Sequence, residues 1–154
     1  MSSAFTILCP RVDYTAAWNS IHAFQTIEKS NDGDSGRWER ISVTFSEGVI
    51  DFNSLVRQEP GDKFSKLILS MHNFFRIVKT DSIKNKEYVL DRILATKMML
   101  GVVGVPHFLE TYTRLACAWS VDQNLGSIIF NGDAMLDLDG ERILTGNGEA
   151  DVVL

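Results

Sequence analysis

The amino-acid sequence predicts a single α+β domain, and three observations lead to that prediction. Apolar side chains recur at helical spacing in residues 64–78, whereas they alternate with polar ones in residues 41–53. An uninterrupted apolar run, residues 98–105, contains two glycines and three valines, which favours a central strand over a helix. We therefore expect a mixed β-sheet with three to four helices packed mainly on one face.

The first half of the chain predicts a strand, a helix and a hairpin. Residues 4–9 form a short buried strand, and Asp13 caps a helix that extends to about Glu28. The turn-forming residues 31–36 end this helix. The alternating segment that follows predicts two strands joined by a tight turn at residues 46–48.

The second half begins with the strongest helix prediction, which starts at Asp62 and carries Phe64 on its apolar face. A further helix over residues 85–95, with Val89 and Ile93 inward, precedes the apolar run, which we interpret as the centre of the sheet. We expect the helices that begin near Tyr14, Phe64 and Phe108 to cover one face of that sheet.

The C-terminal part predicts more strands after a helix over residues 107–121. Residues 127–130 form a strand, and residues 133–144 form a hairpin or a strand pair that turns at Asp139 and Gly140. We assign residues 1–144 to the α+β domain and residues 145–154 to a flexible acidic tail.

Charge and composition indicate a soluble, bacterial-type protein of the cytoplasm. The net charge is −5, and residues 81–154 contain six basic and eleven acidic side chains against nine of each in residues 1–80. An acidic half repels phosphate backbones, so we expect no nucleic-acid partner. No segment has the features of a secretion signal or the length of a membrane span, and Cys9 and Cys117 suit reduced thiols.

No motif predicts catalysis, a metal or a cofactor. Gly33-Asp34-Ser35-Gly36 matches the nucleophile motif of chymotrypsin-like serine proteases, but Arg37 and Trp38 follow it where that family has Gly-Pro. The aspartates of residues 133–139 lack the spacing of an EF-hand loop. We lean towards a protein that is not an enzyme.

Six residues are candidates for binding. Leu69 and Ile77 interrupt the polar side of the second helix, where either the 80–90 connection or a partner covers them. Cys117 lies opposite the apolar stripe of its own predicted helix. The remaining candidates are polar groups that a ligand could contact, namely His72, Arg76 and His107.

Two functions from different classes follow from these residues. The first is a non-enzymatic protein-binding or accessory module, for example of the immunity type, that uses Leu69, Ile77 and Cys117 on a protein partner or on a second copy of the chain. In this hypothesis the acidic C-terminal half steers a basic protein partner onto the module. The alternative is a small enzyme or small-molecule-binding protein with a pocket between the helices and the sheet, lined by His72, Arg76 and His107.

Overall fold

Eight strands form one sheet in the computed structural model, which describes residues 3–106, 111–113 and 127–154. The strands are β1 (Ser3–Cys9), β2 (Glu28–Asp34), β3 (Arg37–Phe45), β4 (Gly48–Val56), β5 (Met98–Val105), β6 (Ile128–Phe130), β7 (Ala134–Leu136) and β8 (Arg142–Thr145). They lie in the order β2-β3-β4-β5-β1-β6-β7-β8. The helices with described bounds are α1 (Tyr14–His22), α2 (Lys63–Arg76) and α3 (Ile83–Ala95).

The α+β class is confirmed, and β5 lies inside the sheet between β4 and β1, as its apolar sequence predicts. Every described pairing is antiparallel, so the sheet is antiparallel and not mixed. Val56 at the end of β4 pairs with Met98 at the start of β5. The two helices between these strands therefore return the chain to the end of the sheet that it left, which makes the neighbouring strands antiparallel.

The sheet is covered on both faces. Ile7 and Cys9 of β1 belong to a core cluster with α1, whereas Leu8, between them, belongs to a second cluster with α2 and α3. Since successive side chains of a strand point to opposite faces, α1 packs on one face and α2 with α3 on the other. The helices that begin near Tyr14 and Phe64, which we expected on one face, thus lie on opposite faces of the sheet. The described part of the Phe108 helix is limited to residues 111–113, which are helical.

The first helix is shorter than the periodicity predicts, because a strand begins where we expected its last turn. α1 ends at His22, and β2 begins at Glu28 and pairs with β3. Almost every residue of β2 is exposed, and only Lys29 is half-buried. An edge strand without buried side chains lacks the alternation that identifies a strand in a sequence, which explains why residues 31–34 resembled a loop.

The local turn and capping predictions are confirmed. Asp13 accepts a hydrogen bond from the main-chain nitrogen of Ala16 at 2.9 Å, which caps α1. Phe45 pairs with Gly48 across the predicted hairpin turn. The β7–β8 connection turns at Gly140, which has a φ of +81°.

Residues 145–154, which the sequence predicts as a flexible tail, lie against the edge of the sheet and α3. The main-chain nitrogen of Asp151 donates to the oxygen of Arg142 at 2.8 Å, and the Arg142 guanidinium contacts the Asp151 carboxylate at 2.6 Å. The pKa of Asp151 is lowered because Arg142 stabilises its charged form. The segment thereby occupies hydrogen-bonding groups at the β8 edge.

The described residues contain neither a membrane-spanning helix nor a cluster of metal ligands. None of the helices there is long and apolar enough to cross a membrane. The same residues contain no group of three or more His, Cys, Asp and Glu side chains that could hold a metal ion.

Candidate functional site

Helix α2 is fixed at its start by a carboxylate cap. One oxygen of Asp62 accepts from the main-chain nitrogen of Ser65 at 2.9 Å, and the other accepts from that of Gln58 at 2.7 Å. These main-chain donors, that of Ser65 first, hold the pKa of Asp62 well below its usual range. The cap satisfies a donor that the first helical turn leaves unpaired, so α2 begins at a defined residue.

The inner side of α2 is buried against the sheet at helical spacing. Its buried residues are Phe64, Ile68, Met71 and Phe75, followed by Val78 just after the helix. Phe64 is 1% exposed and Phe75 is fully buried, so the two ends of α2 are both anchored in the core. An element held in this way presents its other side in a fixed geometry.

The opposite side of α2, here called the α2 outer face, is fully open to solvent. Its six residues are all exposed, and they are Lys66, Leu69, Ser70, Asn73, Arg76 and Ile77. Leu69 is 60% exposed and Ile77 is 71% exposed. The connection that we considered as a cover leaves both side chains open, because residues from Ile83 onward form α3 instead. Leu69 and Ile77, which the sequence places on the polar side of the helix, are therefore apolar residues on the protein surface.

Two more apolar side chains flank the α2 outer face, and neither is among the six residues predicted from the sequence. Leu67 is 38% exposed and Phe74 is 37% exposed. The Phe74 ring packs edge-on against Phe75 and Phe130, with centroid distances of 4.9 and 5.8 Å. Leu67, Phe74 and Ile77 follow the spacing i, i+7, i+10, so helical periodicity would have placed them on one side of the helix. They widen the apolar surface beyond the two predicted residues.

The polar candidates on α2 lie close to this surface. Arg76 belongs to the outer face, and His72, half-buried, lies one turn earlier on the side away from Phe74. Four residues apart on one helix, they project in similar directions. The other two candidates, His107 and Cys117, lie outside the described residues. The structure therefore brings together four of the six candidates, with Leu69, His72 and Arg76 on α2 and Ile77 at its C-cap.

Charge is divided between the helical pair and the rest of the chain. Residues 63–97, which contain α2 and α3, carry eight basic and three acidic side chains. The remaining residues carry seven basic and seventeen acidic side chains. The described ion pairs join Arg11, Arg40 and Arg142 to carboxylates, and within the described residues none involves a cation of α2. A basic helical surface is thus attached to an acidic body.

Three open clefts on the described surface are large enough to hold a small ligand. The largest, about 610 Å³, lies beside the stacked rings of Phe45 and Tyr112, whose centroids are 5.1 Å apart. A second, about 540 Å³, adjoins Phe74, and a third, about 240 Å³, adjoins Arg40. None of the three is lined by His72 or Arg76. These clefts therefore do not use two of the three polar residues that the small-molecule hypothesis names, and the third, His107, lies outside the described residues.

Cys9 lies in the core and is not a candidate nucleophile. Its side chain is fully buried, and burial raises the pKa of the thiol to about 11. Nucleophilic cysteines instead have lowered pKa values and partial exposure. The prediction of a free thiol at this position is confirmed.

Comparison with models of known protein families, with curated proteins and with solved structures finds no match for this chain. The functional argument therefore rests on the geometry of α2 and its surroundings.

Proposed function

We propose that this chain is a non-enzymatic, soluble protein-binding module that contacts its partner through the α2 outer face. The observation that carries the proposal is the exposure of Leu69 and Ile77, at 60% and 71%, on a helix whose inner side already fills the core. Scattered apolar residues are common on protein surfaces, but several on one rigid helix form a contact patch.

The energetics favour a protein as the occupant of this patch. Covering one large aliphatic side chain contributes about 1.5–3 kcal/mol, and a few such side chains dominate most protein interfaces. Leu69 and Ile77 supply apolar centres, while Asn73 and Arg76 supply the polar surroundings that interfaces have. We expect the module to act in the cytoplasm as an accessory protein, for example of the immunity type, that holds or blocks its partner.

A selection from a displayed library of random peptides of helical length tests this proposal. Peptides are enriched on the wild-type protein and then measured against the double variant Leu69→Asp with Ile77→Asp. We expect the double variant to lose at least about hundredfold in affinity, because both apolar contacts are replaced by charges. Circular dichroism and thermal unfolding establish that the variant is folded.

Ile27→Asp provides the matched control, since Ile27 is also 71% exposed. It lies beside Phe24, which belongs to the core cluster on the α1 side of the sheet. The control should bind the enriched peptides as the wild type does. Peptides that bind the double variant as tightly as the wild type, or that respond only to Ile27→Asp, would place the contact surface elsewhere and contradict the proposal.

A further inference from the structure

The charges around Leu69 and Ile77 identify the chemistry of the partner, on the condition that the α2 outer face is the binding surface proposed above. We infer that this face binds an acidic protein surface, in which carboxylates surround an apolar centre. The inference concerns the sign of the partner's charge, and it can fail while the binding surface itself stands.

The α2 outer face carries only basic charges. Lys66 and Arg76 are its only ionisable residues, and residues 63–76 contain no Asp or Glu. Both side chains are exposed, and within the described residues neither forms an ion pair. Each therefore remains free to pair with a carboxylate across an interface.

This basic surface belongs to a chain with a net charge of −5. A nucleic acid or an anionic bilayer is an extended polyanion, so it would face the acidic body as well as the helices. A protein partner of limited size can cover α2 alone, because exposed charges are screened beyond about 10 Å at ordinary ionic strength. The segregation of charge thus favours a local acidic patch over an extended anion.

A second copy of the chain fits the α2 outer face less well than an acidic partner does. A two-fold symmetric dimer through the α2 outer faces would place the same patch on both sides of the interface. The basic face of one copy would then oppose the basic face of the other, and like charges in contact disfavour association. An acidic partner with a different sequence would pair its carboxylates with Lys66 and Arg76 without that repulsion.

The test uses the net charge of the peptides enriched on the wild-type protein, together with one reversed charge. We expect the enriched peptides to be acidic, with apolar residues at helical spacing. We expect their association rate with the wild type to fall as salt rises, and at low salt to fall about tenfold with Lys66→Glu. Arg37→Glu is the matched control, because Arg37 is exposed on β3 and should leave the rate unchanged.

Different failures have different meanings. Enriched peptides that are neutral or basic, yet depend on Leu69 and Ile77, overturn the acidic partner and leave the binding surface intact. Peptides that do not depend on Leu69 and Ile77 overturn both. Equally strong binding to vesicles of phosphatidylcholine with phosphatidylserine, or to polyuridylic acid, overturns the restriction to proteins. Light scattering that gives a dimer, dissociated by Leu69→Asp with Ile77→Asp, makes a second copy the occupant.

Discussion

The side-chain nitrogen of Asn85 donates a hydrogen bond to the main-chain oxygen of Val152 at 2.7 Å. The same amide donates to the oxygen of Ile143 in β8 at 2.8 Å, and Asn85 is only 4% exposed. One buried side chain thus joins α3, the edge of the sheet and the C-terminal segment. This arrangement gives residues 145–154 a structural role in supporting the helical pair that carries the candidate site.

Replacement of Asn85 by alanine should lower the free energy of unfolding by about 2 kcal/mol, because a buried carbonyl oxygen of Ile143 and a partly buried one of Val152 lose their donor. Urea unfolding of wild type and variant measures this difference. Asn73→Ala is the control, since Asn73 is exposed on the α2 outer face and should change stability by less than about 0.5 kcal/mol. Equal effects of the two substitutions would contradict the role of Asn85.

Gly148 should tolerate alanine far less well than Gly140. Both have positive φ, +86° and +81°, but a Cβ at 148 would collide with the main-chain oxygen of Lys79, whereas a Cβ at 140 meets nothing within 4 Å. We expect Gly140→Ala to cost about 1 kcal/mol from backbone strain alone and Gly148→Ala about 3 kcal/mol. Thermal unfolding compares them, and similar losses would show that the segment does not pack against Lys79.

Stability should fall at alkaline pH through Cys9. Burial raises the pKa of this thiol from 9.0 to about 11, so the folded protein retains a proton that the unfolded chain loses. The stabilising contribution is complete below pH 9 and decreases as pH rises to 11, by at most about 1.4 kcal/mol per pH unit. The Cys9→Ala variant should be less stable than the wild type at neutral pH. Its free energy of unfolding should lack the decrease at alkaline pH that the Cys9 thiol causes. Parallel pH profiles of the two proteins would refute the prediction.

Stability should also fall at acidic pH through Asp62. The pKa of this carboxyl is lowered by main-chain donors, with Ser65 first, so folding favours the charged form. Its contribution is complete above the pKa of the unfolded chain and is lost as pH falls through the lower pKa of the folded protein. Asp62→Asn has no titrating carboxyl, and its unfolding midpoint should change less between neutral and acidic pH. A variant as acid-sensitive as the wild type would argue against the cap.

Much of α2 and of the central sheet could be predicted from local sequence patterns. The spacing of Phe64, Ile68 and Phe75 identifies the buried side of α2, and Asp62 identifies its start. The apolar run of β5 indicates a strand covered on both faces. The same periodicity places Leu69 and Ile77 on the opposite side of the helix, but it does not give their exposure, because the 80–90 connection could have covered them.

The remaining features depend on relationships that periodicity does not contain. β2 has almost no buried side chain, so nothing in residues 28–34 distinguishes an edge strand from a loop. Amphipathicity shows that α1 and α2 each bury one side, but not that they bury it on opposite faces of the sheet. The charges were also counted separately for residues 1–80 and 81–154, which places α2 and α3 in different halves. The basic charge that the two helices share was therefore not apparent.

Amide chemical-shift mapping shows whether a partner contacts the α2 outer face. The ¹⁵N-labelled protein is titrated with a peptide enriched on the wild type, and the shifts are followed residue by residue. We expect the largest changes at Leu69, Asn73 and Ile77, and no change at Thr26 and Phe45, which line the cleft of about 610 Å³. Changes centred on that cleft, with the signals of α2 unmoved, would contradict this expectation.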